Sequence, residues 1–347
     1  MTKELINYDN KIMLNCDYCE GAHQNIINAL VDTNLQQTLG YGDDYICDLA
    51  KKCIKKHLKN DNVDIHFLIV GTSTNQIVIS SCLKSYEGVL TVDSGHINIH
   101  ETGAIEVTGH KVISITNNYK LTADDVEKFC INQQNQDGNE HYVQGKMVFI
   151  AFPTEYGLLY SKKELEDIYN ICKKYDFYLY LDGARLAFAF NNNDIKFEDL
   201  PNLCDIFYIG GTKCGALFGE AVVIVNDKLK EGFRFNIKQR GALLAKGRLL
   251  GIQFFELFKD NLYFEIGKNT VFLAMYLKEK LLEKNVKFLT NSFTNQQFII
   301  ITNEQYNKIN EHFIVNYCGN YNNDIIVRVC TSWATKKKDI DKFIKLF

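Results

Sequence analysis

Short apolar runs alternate with amphipathic stretches through roughly the first 260 residues, and this alternation most narrowly limits the folds open to the chain. Some runs, such as residues 67–70, are apolar at every position, which is typical of strands covered on both faces. The intervening stretches repeat their apolar residues at helical spacing. The pattern predicts an α/β fold built on a mainly parallel sheet.

The predicted elements of this region can be placed along the chain. Seven strands are predicted, at residues 65–70, 88–92, 111–115, 146–152, 177–181, 205–209 and 220–225. Helices are predicted between them, at residues 44–58, 74–86, 122–131 and 161–175.

The pattern changes after about residue 260. Leucines at every fourth position mark one face of a long helix, at Leu273, Leu277 and Leu281. Two more strands and a final helix follow, at residues 297–302, 325–330 and 337–346. We therefore predict a smaller C-terminal α+β domain. The predicted division is an N-terminal segment, a large domain and a small domain, at residues 1–20, 21–255 and 256–347.

Composition excludes several classes of protein. Lys and Arg total 39 against 42 Asp and Glu, so no basic excess favours binding to nucleic acid. No apolar run is long enough to span a membrane, and residues 1–15 lack the apolar core of a signal peptide. Eleven scattered cysteines suit free thiols in a reducing cytoplasm, although Cys16 and Cys19 could form a redox pair or half of a metal site.

Polar residues follow the predicted strands at the edge where open α/β sheets bind ligands. Gly71, Thr72 and Ser73 open a predicted helix, whose free N–H groups and hydroxyls suit a phosphate or simply cap the helix. Asp182 directly follows the fifth predicted strand. A buried carboxylate there needs a ligand, a capping role in the next helix, or an ion pair with Arg185.

Two further segments at this edge carry reactive side chains. Lys213 lies in a glycine-rich segment, where a buried amine of lowered pKa can bond to an aldehyde. His96 lies in residues 95–103, where an imidazole can stack on a planar cofactor, bind a metal or move protons. His96, His100 and Glu101 resemble part of a zinc site, but no further ligand with suitable spacing accompanies them.

Arginine is rare in this chain. Only five of the 39 basic residues are Arg. Each Arg therefore either lies at a site that needs a rigid two-pronged donor or has remained in this lysine-rich chain by chance. Arg328 lies inside the apolar strand predicted at residues 325–330 and must face an anion there. The two candidates are a substrate carboxylate and a buried Asp or Glu.

Together these groups meet the requirements of pyridoxal 5'-phosphate. The start of a helix can bind the phosphate, Asp182 can pair with the pyridine nitrogen, and Lys213 can hold the aldehyde. His96 can stack on the ring. Asp182 and Lys213 follow successive strands, with room for one helical connection between them.

The sequence resembles the L-threonine aldolase group of the β-eliminating lyase family, pyridoxal-phosphate enzymes of fold type I. The resemblance covers nearly the whole chain, and its segments stand in the family's order, at residues 41–44, 71–75, 96–103, 182–185, 211–213 and 327–328. It implies a homodimer or homotetramer with the active site at the dimer interface. It also implies a small amino acid as substrate.

The resemblance implies a role for each matching residue. Lys213 would hold the cofactor's aldehyde, Asp182 its pyridine nitrogen, and His96 one face of its ring. The cofactor's phosphate would lie on Gly71, Thr72, Ser73 and Thr212.

The substrate side of the site is implied in the same way. Arg185 would lie near the cofactor's ring hydroxyl and the substrate carboxylate, and Arg328 would grip that carboxylate. Tyr41 would border the site at the dimer interface, and Lys246 would reach the phosphate in the partner subunit.

Two positions depart from the family's pattern. Glu155 stands where better-known aldolases have a second His aimed at the substrate's side-chain hydroxyl. A carboxylate can accept that proton, with a different pKa and reach. Cys16 and Asp17 stand where the family commonly has Ser-Asp beside the substrate carboxylate. Both changes leave cofactor binding intact and bear on the substrate.

The implied activity is cleavage of the Cα–Cβ bond of a β-hydroxy-α-amino acid, with L-threonine or L-allo-threonine giving glycine and acetaldehyde. His96, Glu155 and a bound water are the candidates for the base. The alternatives are elimination or transamination with the same cofactor, a non-catalytic protein that keeps the fold, and a metal-dependent enzyme using His96 and His100.

Overall fold

The computed structural model describes residues 11–116 and 118–347, so half of the predicted N-terminal segment lies outside the described residues. The strands are β1 (Ile12–Met13), β2 (Asp64–Leu68), β3 (Glu87–Thr91), β4 (Val112–Ser114), β5 (Gln144–Ala151), β6 (Tyr178–Asp182), β7 (Ile206–Gly210), β8 (Glu220–Ile224), β9 (Lys287–Phe288), β10 (Gln296–Ile301), β11 (Phe313–Ile314), β12 (Asn316–Tyr321) and β13 (Asp324–Cys330). The α-helices are α1 (Gln24–Asp32), α2 (Tyr45–Leu58), α3 (Gly71–Cys82), α4 (His96–Ile99), α5 (Ala123–Gln134), α6 (Lys162–Lys174), α7 (Phe233–Gln239), α8 (Arg248–Lys259), α9 (Leu262–Glu283), α10 (Asn303–His312) and α11 (Lys337–Ile344). Within the described ranges, no helix combines the length and apolarity needed to cross a bilayer.

The seven predicted strands of the large domain form one sheet, in the order β2-β8-β7-β6-β5-β3-β4. All neighbouring strands are parallel except that β8 runs antiparallel to both β2 and β7. The ends of the predicted strands differ from those observed by no more than two residues. The prediction of a mainly parallel, seven-stranded sheet is confirmed.

Both faces of this sheet are covered, as the continuously apolar strands predicted. Along β6, Leu179 and Leu181 face a core formed with α2, α5, α6, α8 and α9, whereas Tyr180 faces a second core formed with α3 and α7. Alternate side chains of a strand point to opposite faces, so a strand buried on both sides must be apolar throughout.

Local sequence sets where some of these helices begin. Thr122 and Ser161 start α5 and α6 with reciprocal capping bonds to Asp125 and Glu164. In contrast, α3 follows Val70 and has no side-chain cap. The N–H groups of its first turn are therefore left for another acceptor.

The C-terminal region contains a four-stranded antiparallel sheet, in the order β12-β13-β10-β9. Leu277 and Leu281 of α9 pack in one core with strands β10 and β13 and with α11, which confirms the predicted long helix, strands and final helix. Leu14 joins the same core, and β1 pairs with β11. The exact domain boundaries stay a prediction.

The carboxyl ends of β6 and β7 approach each other closely because glycines follow or end both strands. A Cβ atom at Gly183 would collide with the Tyr208 carbonyl oxygen, and one at Gly210 would collide with the Ala184 backbone. The two loops that carry Asp182 and the glycine-rich segment can therefore lie side by side.

Candidate active site

A cavity of about 420 Å³ lies at the carboxyl edge of the large sheet, and we call it the sheet-edge cavity. A second cavity of about 460 Å³ extends toward strands β10, β12 and β13, and we call it the small-sheet cavity. Six residues line both cavities: Tyr18, His96, His100, Glu155, Arg185 and Lys213. Most of the residues singled out in the sequence therefore meet around one connected space.

The uncapped start of α3 forms one end of the sheet-edge cavity, where Gly71 and Thr72 line the wall. Free N–H groups and the positive end of the helix dipole suit an anion there. Ser73, which was predicted beside them, is not in the wall, and its hydroxyl donates to the Val70 carbonyl at 3.3 Å.

Asp182 ends β6 and is only 4% exposed. Its Oδ1 accepts from the Tyr208 hydroxyl (2.5 Å) and the Ala184 N–H (3.0 Å), and its Oδ2 accepts from the Asn75 amide (3.3 Å). Because a buried carboxylate is costly without donors, these bonds hold Asp182 in place in the cavity wall.

Lys213 follows β7 and lines both cavities. Burial lowers the pKa of its amine and the Arg185 charge lowers it further, while Asp17, Asp182 and Glu220 act in the opposite direction. A lowered pKa increases the neutral fraction of the amine, which is the form that attacks an aldehyde.

His96 begins α4 and is joined to Asp182 by a chain of hydrogen bonds. Its Nδ1 lies 2.8 Å from Glu101 Oε1, the same oxygen accepts from the Asn75 amide at 2.7 Å, and that amide also reaches Asp182. The His96 and His100 rings lie 5.6 Å apart. No cluster of three or more His, Cys, Asp or Glu in residues 11–116 and 118–347 could hold a metal ion, so His96, His100 and Glu101 are not arranged as a zinc site.

Glu220 lines the sheet-edge cavity and was missed in the sequence. It is the first residue of β8, whose antiparallel direction brings it to the edge where β2 and β7 end. The Thr212 hydroxyl donates to its Oε1 (2.9 Å) and the Gly211 N–H to its Oε2 (3.2 Å). The available signal was a lone charged residue in an apolar strand, the same signal that pointed to Arg328.

The small-sheet cavity combines Arg328 with aromatic rings, at Tyr18, Tyr156, Phe298 and Tyr317. Arg328 donates to the Gln296 side chain (3.1 Å) and to the Asn15 carbonyl (3.0 Å), both neutral acceptors. Its Nε has no hydrogen-bond partner in the part of the chain that the structure describes. No carboxylate of those residues forms a salt bridge with it, so the positive charge is available to an anion from outside the protein.

Arg185 lines both cavities but is held by Asp17, through Nε (2.7 Å) and Nη2 (3.1 Å). The Asn295 amide also donates to Asp17 at 2.9 Å. Burial alone would raise the pKa of Asp17, but the Arg185 and Lys213 charges outweigh it and lower that pKa to about 2. The alternative of an ion pair between Arg185 and Asp182 is wrong, because Asp17 takes that place.

Glu155 lies beside His96 and lines both cavities. Its Oε1 accepts the His96 backbone N–H at 2.6 Å. Burial raises the pKa of Glu155 to about 7, although backbone N–H donors oppose the rise. A carboxyl group of this pKa can accept and return a proton near neutral pH.

Besides Ser73, three more predicted site residues lie outside both cavities of their own chain. Cys16 is buried with its Sγ 3.2 Å from Cys19 Sγ. The neighbouring Tyr18, which was not among the predicted site residues, lines both cavities. Tyr41 lines a separate small cavity, and Lys246 is exposed. The predicted positions of Tyr41 and Lys246 at a subunit interface stay predictions.

Comparison with known proteins gives matches at the levels of family, sequence and fold. Residues 30–315 match the family described as β-eliminating lyase. The chain is 31% identical to the low specificity L-threonine aldolase of a Pseudomonas species over 237 residues, which is 67% of each chain. The structure of Leishmania major threonine aldolase is similar with a TM-score of 0.93 and 42% identity, covering 96% of this chain and 98% of that one. An aspartate aminotransferase from Thermus thermophilus, with a TM-score of 0.72, 12% identity and coverage of 97% and 91%, shares the fold.

Proposed function

Because the chain belongs to the β-eliminating lyase family, we propose that it is a pyridoxal-phosphate-dependent lyase that cleaves the Cα–Cβ bond of a β-hydroxy-α-amino acid. L-Threonine or L-allo-threonine is the expected substrate, giving glycine and acetaldehyde. The observation that carries the proposal is that Lys213 and Asp182 line one cavity with the uncapped start of α3. The relatives named threonine aldolase support this choice of reaction.

The residues of the sheet-edge cavity fit pyridoxal 5'-phosphate. Asp182, fixed by three donors, suits the pyridine nitrogen, and the α3 start at Gly71 and Thr72 suits the phosphate. The Lys213 amine, with its lowered pKa, suits the aldehyde, and the His96 ring lies in the same wall. When bound there, the cofactor supplies an electron sink for the negative charge left on the substrate Cα.

Arg328 is the residue that we assign to the substrate carboxylate. It lines the small-sheet cavity, and Lys213 lines both cavities, so an amino acid held by Arg328 has its amino end directed toward Lys213. A guanidinium binds a carboxylate through two parallel hydrogen bonds, which fixes direction as well as position. Holding the substrate in one orientation lowers the barrier to breaking the chosen bond.

Glu155 is the group that we assign to the β-hydroxyl. It lies between the two cavities with a pKa raised to about 7 by burial, so its ionised form is present at neutral pH. Glu155 takes the hydroxyl proton, the Cα–Cβ bond breaks with its electron pair left on Cα, and Cβ departs as the aldehyde. A proton then returns to Cα, which completes glycine.

Assembly and location are part of the same proposal. We propose a homodimer or homotetramer, since Tyr41 and Lys246 lie outside the cavities of their own chain and suit a position beside a partner's site. We also propose a cytoplasmic location, because all eleven cysteines are free thiols. Light scattering would give the number of subunits, and a single-chain species in solution would contradict the assembly.

The test of the reaction combines cofactor trapping with product analysis. Borohydride should fix pyridoxal phosphate on Lys213, as peptide mass spectrometry can show, and a panel of β-hydroxy amino acids should release aldehyde and glycine. Lys213→Ala should lose at least about 10³-fold in kcat, because the covalent attachment is lost. The exposed Lys228 provides the matched control, and Lys228→Ala should keep full activity.

The outcomes separate the alternatives. Release of ammonia and a keto acid would indicate elimination or transamination instead. Bound cofactor with no product from any amino acid would indicate a non-catalytic protein. A Lys213→Ala protein that can still be reduced to a stable cofactor adduct at another residue would contradict the assignment of the lysine.

A further inference from the structure

A buried carboxyl lies at the end of the sheet-edge cavity where an anion is expected. Glu220 is 4% exposed and pairs with Leu68 of β2 and Gly210 of β7. The first of these strands leads into α3, and the second leads to Lys213. Glu220 therefore lies between the start of α3, which we assign to the cofactor's phosphate, and Thr212, for which the family resemblance implies the same role. A second negative charge there would oppose binding of the phosphate.

The Thr212 hydroxyl is already engaged by this carboxyl. It donates its single hydrogen to Glu220 Oε1 at 2.9 Å and accepts from the Gly219 N–H at 3.1 Å. A hydroxyl has one hydrogen to donate and two lone pairs to accept with. While Glu220 is ionised, Thr212 consequently has no hydrogen left for a phosphate oxygen.

We propose that Glu220 takes up a proton when the cofactor's phosphate binds, and that this proton redirects the Thr212 hydroxyl toward the phosphate. The neutral carboxyl donates to Thr212 Oγ1, which still accepts from the Gly219 N–H. The hydroxyl hydrogen of Thr212 is then free to donate to a phosphate oxygen. The proton comes from solvent, and no other bond changes.

This inference rests on the proposed cofactor. Within the phosphate site, Glu220 and Thr212 act as one unit whose hydrogen bonding depends on a single proton. Binding of the phosphate should therefore weaken as the pH rises above the pKa of Glu220, because a proton must be supplied at each binding event.

The surroundings of Glu220 support a change of charge in the neutral to mildly alkaline range. Burial raises its pKa to about 8, and Asp182 acts in the same direction, whereas Thr212, Lys213 and the Gly211 N–H oppose the rise. A bound phosphate dianion would raise it further. Burial keeps the other nearby titratable groups neutral at this pH by raising their pKa values, at Tyr180, Tyr208, Cys214 and Tyr263.

The experiment uses pyridoxine 5'-phosphate, which has no aldehyde and so cannot bond to Lys213. Calorimetric titration from pH 7 to 9.5, in buffers of different ionisation enthalpy, gives both Kd and the number of protons taken up. The wild-type protein should take up close to one more proton than Glu220→Gln near pH 9. Its Kd should rise relative to that of the variant by up to about tenfold per pH unit above 8.

Glu220→Gln serves as the neutral form of the carboxyl, because its amide N–H can donate to Thr212 and its oxygen can accept from Gly211. It should bind the probe about tenfold more tightly than the wild type at pH 9. Glu87→Gln is the matched control, since Glu87 is another buried glutamate at the first residue of a strand. It begins the parallel strand β3, at the opposite edge of the sheet, and should keep the wild-type pH dependence.

Thr212 gives a second measurement that does not depend on the Glu220 variant. Thr212→Val should weaken probe binding about tenfold at pH 7.5, where Glu220 is mostly neutral, and Thr212→Ser should restore it. Parallel pH curves and equal proton uptake in the wild-type and Glu220→Gln proteins would overturn the inference. So would unchanged binding in Thr212→Val. Failure of the probe to bind the wild type at any pH would instead contradict the proposed cofactor.

Discussion

The sheet-edge cavity and the small-sheet cavity share Lys213 but hold their charged groups differently. Asp182, in the first, accepts from the Tyr208, Ala184 and Asn75 donors of its own domain. Arg328, in the second, reaches only neutral acceptors, with Nε unpaired among the described residues. The cofactor end is thus organised in advance by the sheet, whereas the substrate end keeps binding capacity for an external carboxylate.

After the loss of Lys213, the largest effect on activity is expected from a substitution in the sheet-edge cavity. Asp182→Asn should reduce kcat by about 10³-fold, because a neutral amide cannot stabilise positive charge on the pyridine nitrogen. Steady-state kinetics and cofactor content should be measured together. The exposed Asp137 gives the control, and Asp137→Asn should be unchanged. Loss of less than tenfold would show that the hydrogen-bonded network is not what the reaction depends on.

A substitution of Glu155, which lines both cavities, tests whether this carboxyl accepts the substrate's hydroxyl proton. Glu155→Gln should lower kcat by about 10²-fold, since the amide cannot accept the hydroxyl proton. With its pKa raised to about 7 by burial, Glu155 is protonated below that pH, so wild-type activity should fall as the pH drops below 7. The variant should lack this acidic fall in its pH profile of kcat. A variant with the same profile would assign the titration to another group.

A substitution of Arg328 tests the small-sheet cavity, where we expect the substrate carboxylate to bind. Arg328→Lys should raise KM about tenfold with little change in kcat, because a point charge replaces a two-pronged donor used equally in substrate and transition state. Arg240→Lys, on an exposed Arg that binds Ser80, is the matched control. An unchanged KM would mean that the substrate carboxylate binds elsewhere.

The smallest effect concerns the ion pair between Asp17 and Arg185. Arg185 and Lys213 hold the pKa of Asp17 at about 2, below its model-compound value of 3.8. Stability from this group is present above pH 4 and is lost as the pH falls toward 2, by about 1 kcal/mol between pH 6 and pH 3. Urea unfolding at both pH values should show this loss in the wild type, and Asp17→Asn should lack that part of it.

Much of the site could be predicted because its residues follow strands that can be identified from apolar runs in the sequence. Lys213, Asp182 and His96 were placed at strand ends, and parallel strands bring such ends to one edge. Glu220 was missed because β8 is antiparallel, so its first residue, not its last, lies at that edge. Tyr18 was missed because nothing in its local sequence distinguishes it.

The sequence by itself determined the succession of strands and helices and the mainly parallel sheet that they form. Strands buried on both faces must be apolar throughout, and helices between them must show helical spacing, so both can be read from local order. Only the tertiary structure decided which partners the charged groups have. Arg185 pairs with Asp17 and Thr212 with Glu220 because segments distant in the chain meet at the sheet edge. Hydrogen bonds and charge interactions depend on distances of a few ångströms, which local sequence patterns do not encode.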